Sequence, residues 1–245
     1  MKKVMLIGAT SGIAQALANQ LAQSGASLVL LGRSAAKLDL MAKDLRLRHG
    51  ATVETEAFDF DAFDNHAPAI DRAIERLGGV DLAIVCHGSL GDQKACEQDF
   101  RLVEAEFRTN CLSAMSFLAH LANRMEERGA GCLVAISSVA GDRGRQSNYI
   151  YGAAKAGLSA FLQGLRNRLF PKGVHVLTVK PGFVDTPMTA HLKKGLLMAS
   201  PERVAKDILR AAGSGRCVLY TPWFWRWIML VIKLIPETVF QRLKL

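Results

Sequence analysis

The stretch Lys3–Ala14, "KVMLIGATSGIA", gives the clearest indication of the fold class of this chain. An apolar, strand-like run leads into a turn with Gly8 and Gly12, where a helical pattern begins. Glycine permits a tight turn and close ligand approach, and the N–H groups at a helix start attract a pyrophosphate. Ala14 at the third glycine position is still small enough for close packing of helix on strand. The turn predicts a dinucleotide site, although such turns also occur without a ligand. The further candidate contacts in this loop are Thr10, Ser11 and Ile13.

The alternation of strand and helix continues along the chain. Six later runs predict strands, namely "SLVLLG", "TVETEAF", "DLAIVC", "GCLVAIS", "VHVLTVK" and "RCVLY". Several of these runs are apolar throughout, as expected when helices cover both faces of a sheet. The pattern predicts one α/β domain with a doubly wound, parallel, Rossmann-type sheet in three layers. We assign residues 1–220 to this domain and residues 221–245 to an apolar, basic tail continuous with it.

The charge balance is +9, and much of the excess lies near the C-terminus. Residues 186–245 contain ten lysines and arginines against three acids. A local positive field indicates an anionic partner such as a phosphate-bearing ligand, an acidic membrane or a nucleic acid, although solvated helix faces give the same pattern. Five cysteines show no metal-ligand spacing, which predicts a reducing compartment and no metal site. The N-terminal apolar run is too short for a signal peptide, so we expect a cytoplasmic protein.

The end of the second strand, "LLGRS", bears on the choice of cofactor. An acid at this position would bind a ribose 2′-hydroxyl, whereas an arginine accommodates a 2′-phosphate. Arg33 has the planar donor fork that suits phosphate, and Ser11 and Ser34 can add hydroxyl donors. We therefore expect NADP(H) rather than NAD(H), with a solvated loop position as the alternative for Arg33.

The stretch "SSVAGDRGRQSNYIYGAAK" carries the candidate chemistry. Tyr151 and Lys155 lie four residues apart and hence on one face of a helix. A neighbouring ammonium favours the phenolate, so we expect Lys155 to lower the pKa of Tyr151 from about 10 toward neutrality. Ser138, at the end of an apolar strand, can hydrogen-bond the reacting oxygen. A tyrosine–lysine pair at this spacing is common, and it is the combination with Ser138 and the glycine turn that predicts catalysis.

These motifs resemble the short-chain dehydrogenase/reductase family over nearly the whole chain. The matching pieces are "GATSGIA", Asp59 in "FDF", Gly88, Asn110, Ser138, "YGAAK" and "KPGFVDTPM". The resemblance implies that Tyr151 is the general acid in ketone reduction and the base in the reverse reaction. Lys155 would lower the pKa of Tyr151 and hold the nicotinamide ribose, Ser138 would polarise the carbonyl, and Asn110 would hold a proton-relay water.

The same resemblance assigns the remaining cofactor contacts. Asp59 and Phe60 are expected to flank the adenine, and Gly88 to border the cofactor after the fourth strand. The nicotinamide would be seated by Pro181, Val184 and Thr186.

One departure from the family pattern follows the fourth strand. Many members have Asn-Asn-Ala-Gly at this point, whereas this chain reads "VCHG" from Val85 to Gly88. The asparagine contacts that brace neighbouring strands must therefore be replaced. We expect His87 to be a structural histidine with satisfied hydrogen bonds and not a catalytic residue.

Residues 86–245 are similar to reductases acting on a decaprenylphosphoryl 2-keto-pentose, which work with an oxidase to epimerise a lipid-linked ribose. The similarity is carried by "GSLGD", "PGFVDTPMTAHLK" and the ending "IPETVFQRLKL". It implies a substrate with a phosphodiester and a long isoprenoid chain. A phosphodiester requires cations near the site, and the candidates are Arg143, Arg145, Lys193 and Lys194. A solvated or subunit-contact loop is the alternative for the two arginines.

The tail segment "TPWFWRWIMLVIKLIP" is apolar but too short and too charged to span a bilayer. Arg226 and Lys233 are seven residues apart and share one stripe of a helix, and three tryptophans cluster at its start. Such a helix can lie in the headgroup layer of an anionic membrane. The alternative is a helix that closes the substrate cleft or a subunit interface.

We therefore expect an NADPH-dependent reductase of a lipid-linked keto-sugar, cytoplasmic and associated with the inner face of the cell membrane. The alternatives are a reductase of another lipophilic ketone and an inactive NADP-binding membrane scaffold. Family resemblance implies a homodimer or homotetramer. We expect no nucleic-acid partner, because the tail's aromatic residues alternate with aliphatic ones.

Overall fold

The computed structural model describes residues 2–190 and 195–243. Its seven-stranded sheet is parallel throughout and has the order β3-β2-β1-β4-β5-β6-β7. The strands are β1 (Lys3–Ile7), β2 (Ser27–Gly32), β3 (Val53–Ala57), β4 (Leu82–Val85), β5 (Gly131–Ile136), β6 (Val174–Pro181) and β7 (Val218–Thr221). Each coincides with a strand predicted from the sequence. The chain order reverses between β1 and β4, and ligands of such sheets bind outside the strand ends at this point.

Ten α-helices accompany the sheet in the described part of the chain. They are α1 (Gly12–Gln23), α2 (Ala35–His49), α3 (His66–Leu77), α4 (Gln93–Gln98), α5 (Phe100–Phe107), α6 (Ser113–Arg128), α7 (Tyr149–Leu169), α8 (Pro201–Gly213), α9 (Trp225–Leu234) and α10 (Glu237–Phe240). Helices α1, α2 and α8 cover one face of the sheet, and α3, α6 and α7 cover the other. The predicted three-layer, doubly wound architecture is confirmed.

The apolar side chains of β1 explain why both faces are covered. Val4 and Leu6 point into the core beneath α1, whereas Met5 and Ile7 point into the core beneath α6. All four are fully buried. Successive strand residues face opposite sides, so a strand without polar residues must lie between two apolar layers.

The tail continues directly from the edge strand β7 into α9 and α10. Trp225 and Met229 of α9 are buried against Val139, a residue of the loop between β5 and α7. The tail thereby packs beside a loop at the carboxyl end of β5. No helix within 2–190 or 195–243 has the length and hydrophobicity needed to cross a bilayer.

Candidate active site

The glycine turn lies where β1 ends and α1 begins. Gly8 has φ of 80°, and a Cβ at this position would lie 2.5 Å from the backbone nitrogen of His87. Only glycine therefore fits between the ends of β1 and β4. Ser11 is the N-cap of α1, with its Oγ accepting a hydrogen bond from the amide of Ala14 at 3.4 Å. The N–H groups of Gly12 and Ile13 precede the first intrahelical hydrogen bond, which Gln15 donates to Ser11 O, and they are available to bind an anion.

The loop from β5 to α7 brings Ser138 and Tyr151 together. Ser138 lies two residues beyond β5, and its Oγ accepts from the amide of Ala140 at 3.1 Å. The short turn that follows packs on the first turns of α7, because a Cβ on Gly152 would lie 2.9 Å from Ala140 O. In this arrangement Ser138 and Tyr151 line one cavity, and the Ser138 hydroxyl acts to lower the pKa of Tyr151.

Lys155 lies one helical turn beyond Tyr151 and is buried. Its Nζ donates to Ile136 O at 3.1 Å and lies 5.8 Å from the centroid of the Tyr151 ring. The backbone carbonyl of Lys155 accepts from the hydroxyls of Ser137 (3.0 Å) and Ser159 (2.8 Å). The two hydroxyl oxygens also lie 2.7 Å apart, so one of the serines can donate to the other instead of to the carbonyl, and in either arrangement α7 is fixed to the end of β5 at the level of the lysine.

Asn110 is held by a polar network behind the cavity. It lies in a π-helical turn between α5 and α6, where widened turns are frequently functional. Its Oδ1 accepts from the amide of Ser89 at 3.1 Å, and its Nδ2 donates to Oε2 of Glu106 at 2.9 Å. A Cβ on Gly88 would lie 2.8 Å from Asn110 Oδ1 and 3.4 Å from Lys155 Nζ. The asparagine and the lysine therefore converge on one point.

Glu106 is a site residue that the sequence analysis missed. It is a buried carboxylate, and besides Asn110 it accepts from Ser89 Oγ at 2.8 Å. Its spacing of four residues from Asn110 was an available signal, because residues at that spacing share a helix face. An acidic residue on an amphipathic helix normally faces solvent, and only the packing of α5 shows that this one does not.

The pKa values of the central pair follow burial more than their mutual proximity. Burial raises the pKa of Tyr151 to about 12, with the hydrogen bond from Ser138 opposing and the charge of Glu106 adding to the rise. Burial lowers the pKa of Lys155 to about 8. The expected lowering of the Tyr151 pKa by Lys155 is therefore wrong in direction. The phenol is protonated at neutral pH, as required of a group that donates a proton.

A cavity of about 800 Å³ connects the glycine turn with Tyr151. A Cβ on Gly12 would lie 2.9 Å from Cγ2 of Thr186, so the turn and the segment after β6 form facing walls of one groove. The predicted site residues that line the cavity are Thr10, Ser11, Gly12, Ile13, Gly88, Ser138, Tyr151, Lys155, Pro181, Val184 and Thr186.

The predicted adenine contacts lie outside the lining of this cavity. Arg33 and Asp59 are exposed at the ends of β2 and β3, and Ser34 is the N-cap of α2. The ring of Phe60 is buried and stacks on His87 with centroids 4.6 Å apart, and its carbonyl accepts from His66. That ring belongs to the core and is not available to an adenine, in contrast to the expectation.

His87 is structural, but its hydrogen bonds are not satisfied. Both ring nitrogens are buried without a partner in the described part of the chain. Burial, with the charge of Lys155 adding, lowers the pKa of His87 to about 3, so the ring is neutral. Ring stacking on Phe60 replaces the expected strand-bracing hydrogen bonds. The expectation of a satisfied histidine is corrected accordingly.

Arg143 does not face the substrate cavity, and its expected role as a phosphodiester ligand is wrong. Its guanidinium donates to the carbonyls of Ile232 and Ile235 at the end of α9, each at 2.6 Å. It also pairs with Glu237 at 2.8 Å and stacks 3.7 Å from the centroid of Phe240. The C-terminal end of a helix has unsatisfied carbonyls that favour a cation. Arg143 thus fastens the tail to the loop between β5 and α7.

Arg145 does line the cavity, and Lys193 and Lys194 lie outside the described residues.

The predicted tail helix is confirmed as α9. Its inner side, formed by Trp225, Ile228, Met229 and Ile232, packs on the protein, while its outer face is exposed. We define this outer face as Arg226, Trp227, Leu230, Val231, Lys233 and Leu234, together with Trp223 just before the helix; these residues recur at helical spacing.

A parallel sheet with a glycine turn at its reversal point, facing a tyrosine–lysine pair, defines a nicotinamide-dependent oxidoreductase. The short chain dehydrogenase profile matches residues 2–196. The chain is 38% identical over 240 residues to an uncharacterized oxidoreductase of Mycobacterium tuberculosis, covering 98% of this chain and 96% of the relative. The chain therefore belongs to the short-chain dehydrogenase/reductase family.

Solved structures share this fold. Levodione reductase superimposes with a TM-score of 0.83 at 21% identity, covering 91% of this chain and 96% of that one. An actinorhodin polyketide ketoreductase variant with NADPH gives a TM-score of 0.81 at 24% identity, covering 91% of this chain and 97% of that one.

Proposed function

We propose that the protein reduces a ketone to a secondary alcohol with NADPH. The observation that carries this proposal is that Ser138, the protonated phenol of Tyr151 and the buried Lys155 line one cavity, with Lys155 Nζ 5.8 Å from the centroid of the Tyr151 ring. NADPH supplies the hydride when it is bound. The glycine turn would hold its pyrophosphate, and Lys155 with the segment after β6 would hold its nicotinamide riboside.

The chain's own residues then manage the proton. Ser138 Oγ donates to the substrate carbonyl oxygen and orients it beside Tyr151 Oη. Tyr151 gives its proton to that oxygen as negative charge develops on it. The ammonium of Lys155 stabilises the resulting phenolate, and Asn110, fixed by Glu106, holds the position beside Lys155 through which a water can return the proton.

Arg33 supports the choice of NADPH over NADH. It is an exposed arginine at the end of β2, and it makes no hydrogen bond or ion pair within the described chain. Its guanidinium is thus free to bind a 2′-phosphate. We expect Arg33→Ala to raise the KM for NADPH about 10-fold or more, with little change for NADH. Equal losses with both cofactors would refute this assignment.

The substrate we propose is a lipid-linked keto-sugar, reduced at the inner face of the cell membrane. Support comes from the apolar cavity wall, which includes Leu90, Phe183 and Met188, and from the position of α9 beside it. The ring of Phe183 contacts Trp225 edge-on at 5.4 Å, so the cavity wall and the inner side of α9 are continuous. The outer face of α9 would lie in the headgroup layer, with Trp227 57% and Leu234 72% exposed.

The test measures NADPH oxidation by the purified protein with three substrates. These are a polyprenylphosphoryl 2-keto-pentose, the same compound with a short alkyl chain, and an unrelated lipophilic ketone. We expect turnover with the first compound and a lower kcat/KM when the lipid is shortened. Turnover confined to the unrelated ketone would retain the mechanism and reject the keto-sugar. No turnover with any ketone would reject reduction and favour the scaffold alternative.

Membrane docking and assembly have separate tests. Replacing Trp227 and Leu234 with serine should abolish sedimentation with anionic vesicles while leaving reduction of a short-chain substrate intact. Unchanged sedimentation would refute docking through α9. We also propose a homodimer or homotetramer, which sedimentation equilibrium would distinguish from a monomer.

A further inference from the structure

Arg145 has an unmatched charge in the wall of the catalytic cavity. It lines the same cavity as Ser138 and Tyr151. Its Nε is shielded from solvent and has no hydrogen-bond partner in the described part of the chain. Burial lowers the pKa of its guanidinium, and no neighbouring acid opposes this effect. An unpaired, partly buried guanidinium is unfavourable unless an anion completes the site.

Asn148 has a second unmatched polar atom in the same wall. It occupies the N-cap position of α7, yet its side chain makes no capping hydrogen bond. Its Oδ1 is buried without a partner in the described residues, and Asn148 also lines the cavity. Asparagine at an N-cap normally accepts from the first turn of its helix. The freed carbonyl oxygen is an acceptor for a hydroxyl donor.

Other polar groups of the same loop are paired, in contrast to Arg145 Nε and Asn148 Oδ1. Arg143, two residues before Arg145, donates to carbonyls and a carboxylate of the tail. Asp142 accepts from Lys180 and from Tyr220 Oη. The loop therefore satisfies its polar groups where it contacts the protein, and leaves a donor and an acceptor unpaired where it contacts the cavity. Buried polar groups are nearly always paired, and because this donor and this acceptor both lie in the cavity wall, a ligand in the cavity would pair them.

We infer that Arg145 and Asn148 form a substrate subsite that binds an oxyanion, such as a phosphate ester, next to a sugar hydroxyl. The guanidinium takes the oxyanion, and the Asn148 carbonyl accepts from the hydroxyl. This subsite rests on the proposed function, because it presents a phosphorylated hydroxy-ketone to Ser138 and Tyr151. The same chemistry fits a lipid phosphodiester and a free sugar phosphate.

The experiment compares wild type with Arg145→Met on three substrates in the presence of NADPH. They are an octylphosphoryl 2-keto-pentose, the 1-phosphate of the keto-pentose, and the neutral octyl keto-pentoside. We expect Arg145→Met to raise the KM for the octylphosphoryl compound about 10- to 100-fold, with kcat and the neutral substrate's KM nearly unchanged. A matching effect on the 1-phosphate identifies a free sugar phosphate as a second source of the anion, and an effect on the diester alone identifies the lipid phosphodiester.

Two further variants separate the subsite from a packing effect. Arg216→Met removes the same charge at an exposed position before β7, at the opposite end of the sheet, and should change nothing. Asn148→Asp keeps the side-chain size but places a carboxylate beside the anion, and should raise the KM for the phosphorylated substrates only. An equal rise in KM for the neutral pentoside in Arg145→Met would overturn the inference.

A binding measurement decides the subsite even if no ketone is reduced. Dimethyl phosphate is titrated with full-length protein saturated with NADP⁺, and its ³¹P line width is followed. Broadening by wild type that is lost in Arg145→Met supports the subsite even where the proposed function has failed. Equal broadening by both proteins, or none by wild type, overturns it.

Discussion

Two arginines in one loop, Arg143 and Arg145, serve two regions of the molecule in opposite ways. Arg143 fastens the tail: its side chain is 14% exposed, and both terminal nitrogens of its guanidinium donate to acceptors at the end of α9 and the start of α10. Arg145 belongs to the catalytic cavity and has no partner of its own in the described chain. Equal charge and a spacing of two residues therefore say little about role. What differs is the set of acceptors that the fold brings to each guanidinium.

The comparison predicts that substitutions in the cavity reduce turnover, whereas substitutions at the tail reduce stability. Tyr151→Phe removes the proton donor without changing packing and should lower kcat about 10³-fold or more in steady-state assays of NADPH oxidation. Tyr149→Phe, on the exposed side of the same helix turn, is the control and should retain activity within about twofold. If Tyr151→Phe kept most of the turnover, the cavity would not be the reaction centre.

Gly182→Ala should disrupt the packing of the inner side of α9 on the segment after β6. The added methyl group would overlap the indole of Trp225, which is buried and has no space to move. We expect a loss of about 1–3 kcal/mol of unfolding free energy in urea titrations, together with faster proteolysis in α9. Gly213→Ala is a matched control, because nothing lies within 4 Å of its added Cβ. Equal stability of the two variants would contradict the docking of Trp225 on Gly182.

Arg143→Met should loosen the tail from its other end. Its hydrogen bonds to the carbonyls at the end of α9 should contribute about 1.5–3 kcal/mol, and their loss should speed amide hydrogen exchange in α9. Glu237→Gln should cost less than about 0.5 kcal/mol, because the Glu237 side chain is 79% exposed. Similar exchange rates in both variants would mean that the ion pair, and not the capping of α9, fastens the tail.

Glu106→Gln should change the pH dependence of the cavity without disturbing the tail. Lys155 has a pKa near 8, so its charge, and with it kcat/KM for reduction, should fall as the pH rises through about 8. The carboxylate of Glu106 raises the pKa of Lys155, and its removal should move this alkaline limb to lower pH. A pH profile superimposable on that of wild type would remove Glu106 from the electrostatics of the site.

The sequence predicted the strands and the shared helix of Tyr151 and Lys155 correctly, because each depends on local patterns. All-apolar runs such as β1 require burial on both faces, and the four-residue spacing of Tyr151 and Lys155 requires a shared helix face. The direction of the Tyr151 pKa shift was predicted wrongly, because spacing reveals a neighbouring charge but not the depth of burial. For the same reason the sequence did not reveal that Glu106 is buried at the site or that the ring of Phe60 belongs to the core.

Hydrophobic periodicity and residue spacing act within a few residues, and they were sufficient to predict the parallel sheet, the glycine turn and the shared helix face of Tyr151 and Lys155. The folded structure was needed to show that Arg143 caps α9 while Arg145 faces the cavity, and that His87 is neutral and has no hydrogen-bond partner among the described residues. Hydrogen-bond partners and solvent exposure depend on segments far apart in the chain; about ninety residues separate Arg143 from the carbonyls that bind it. No local pattern contains that information.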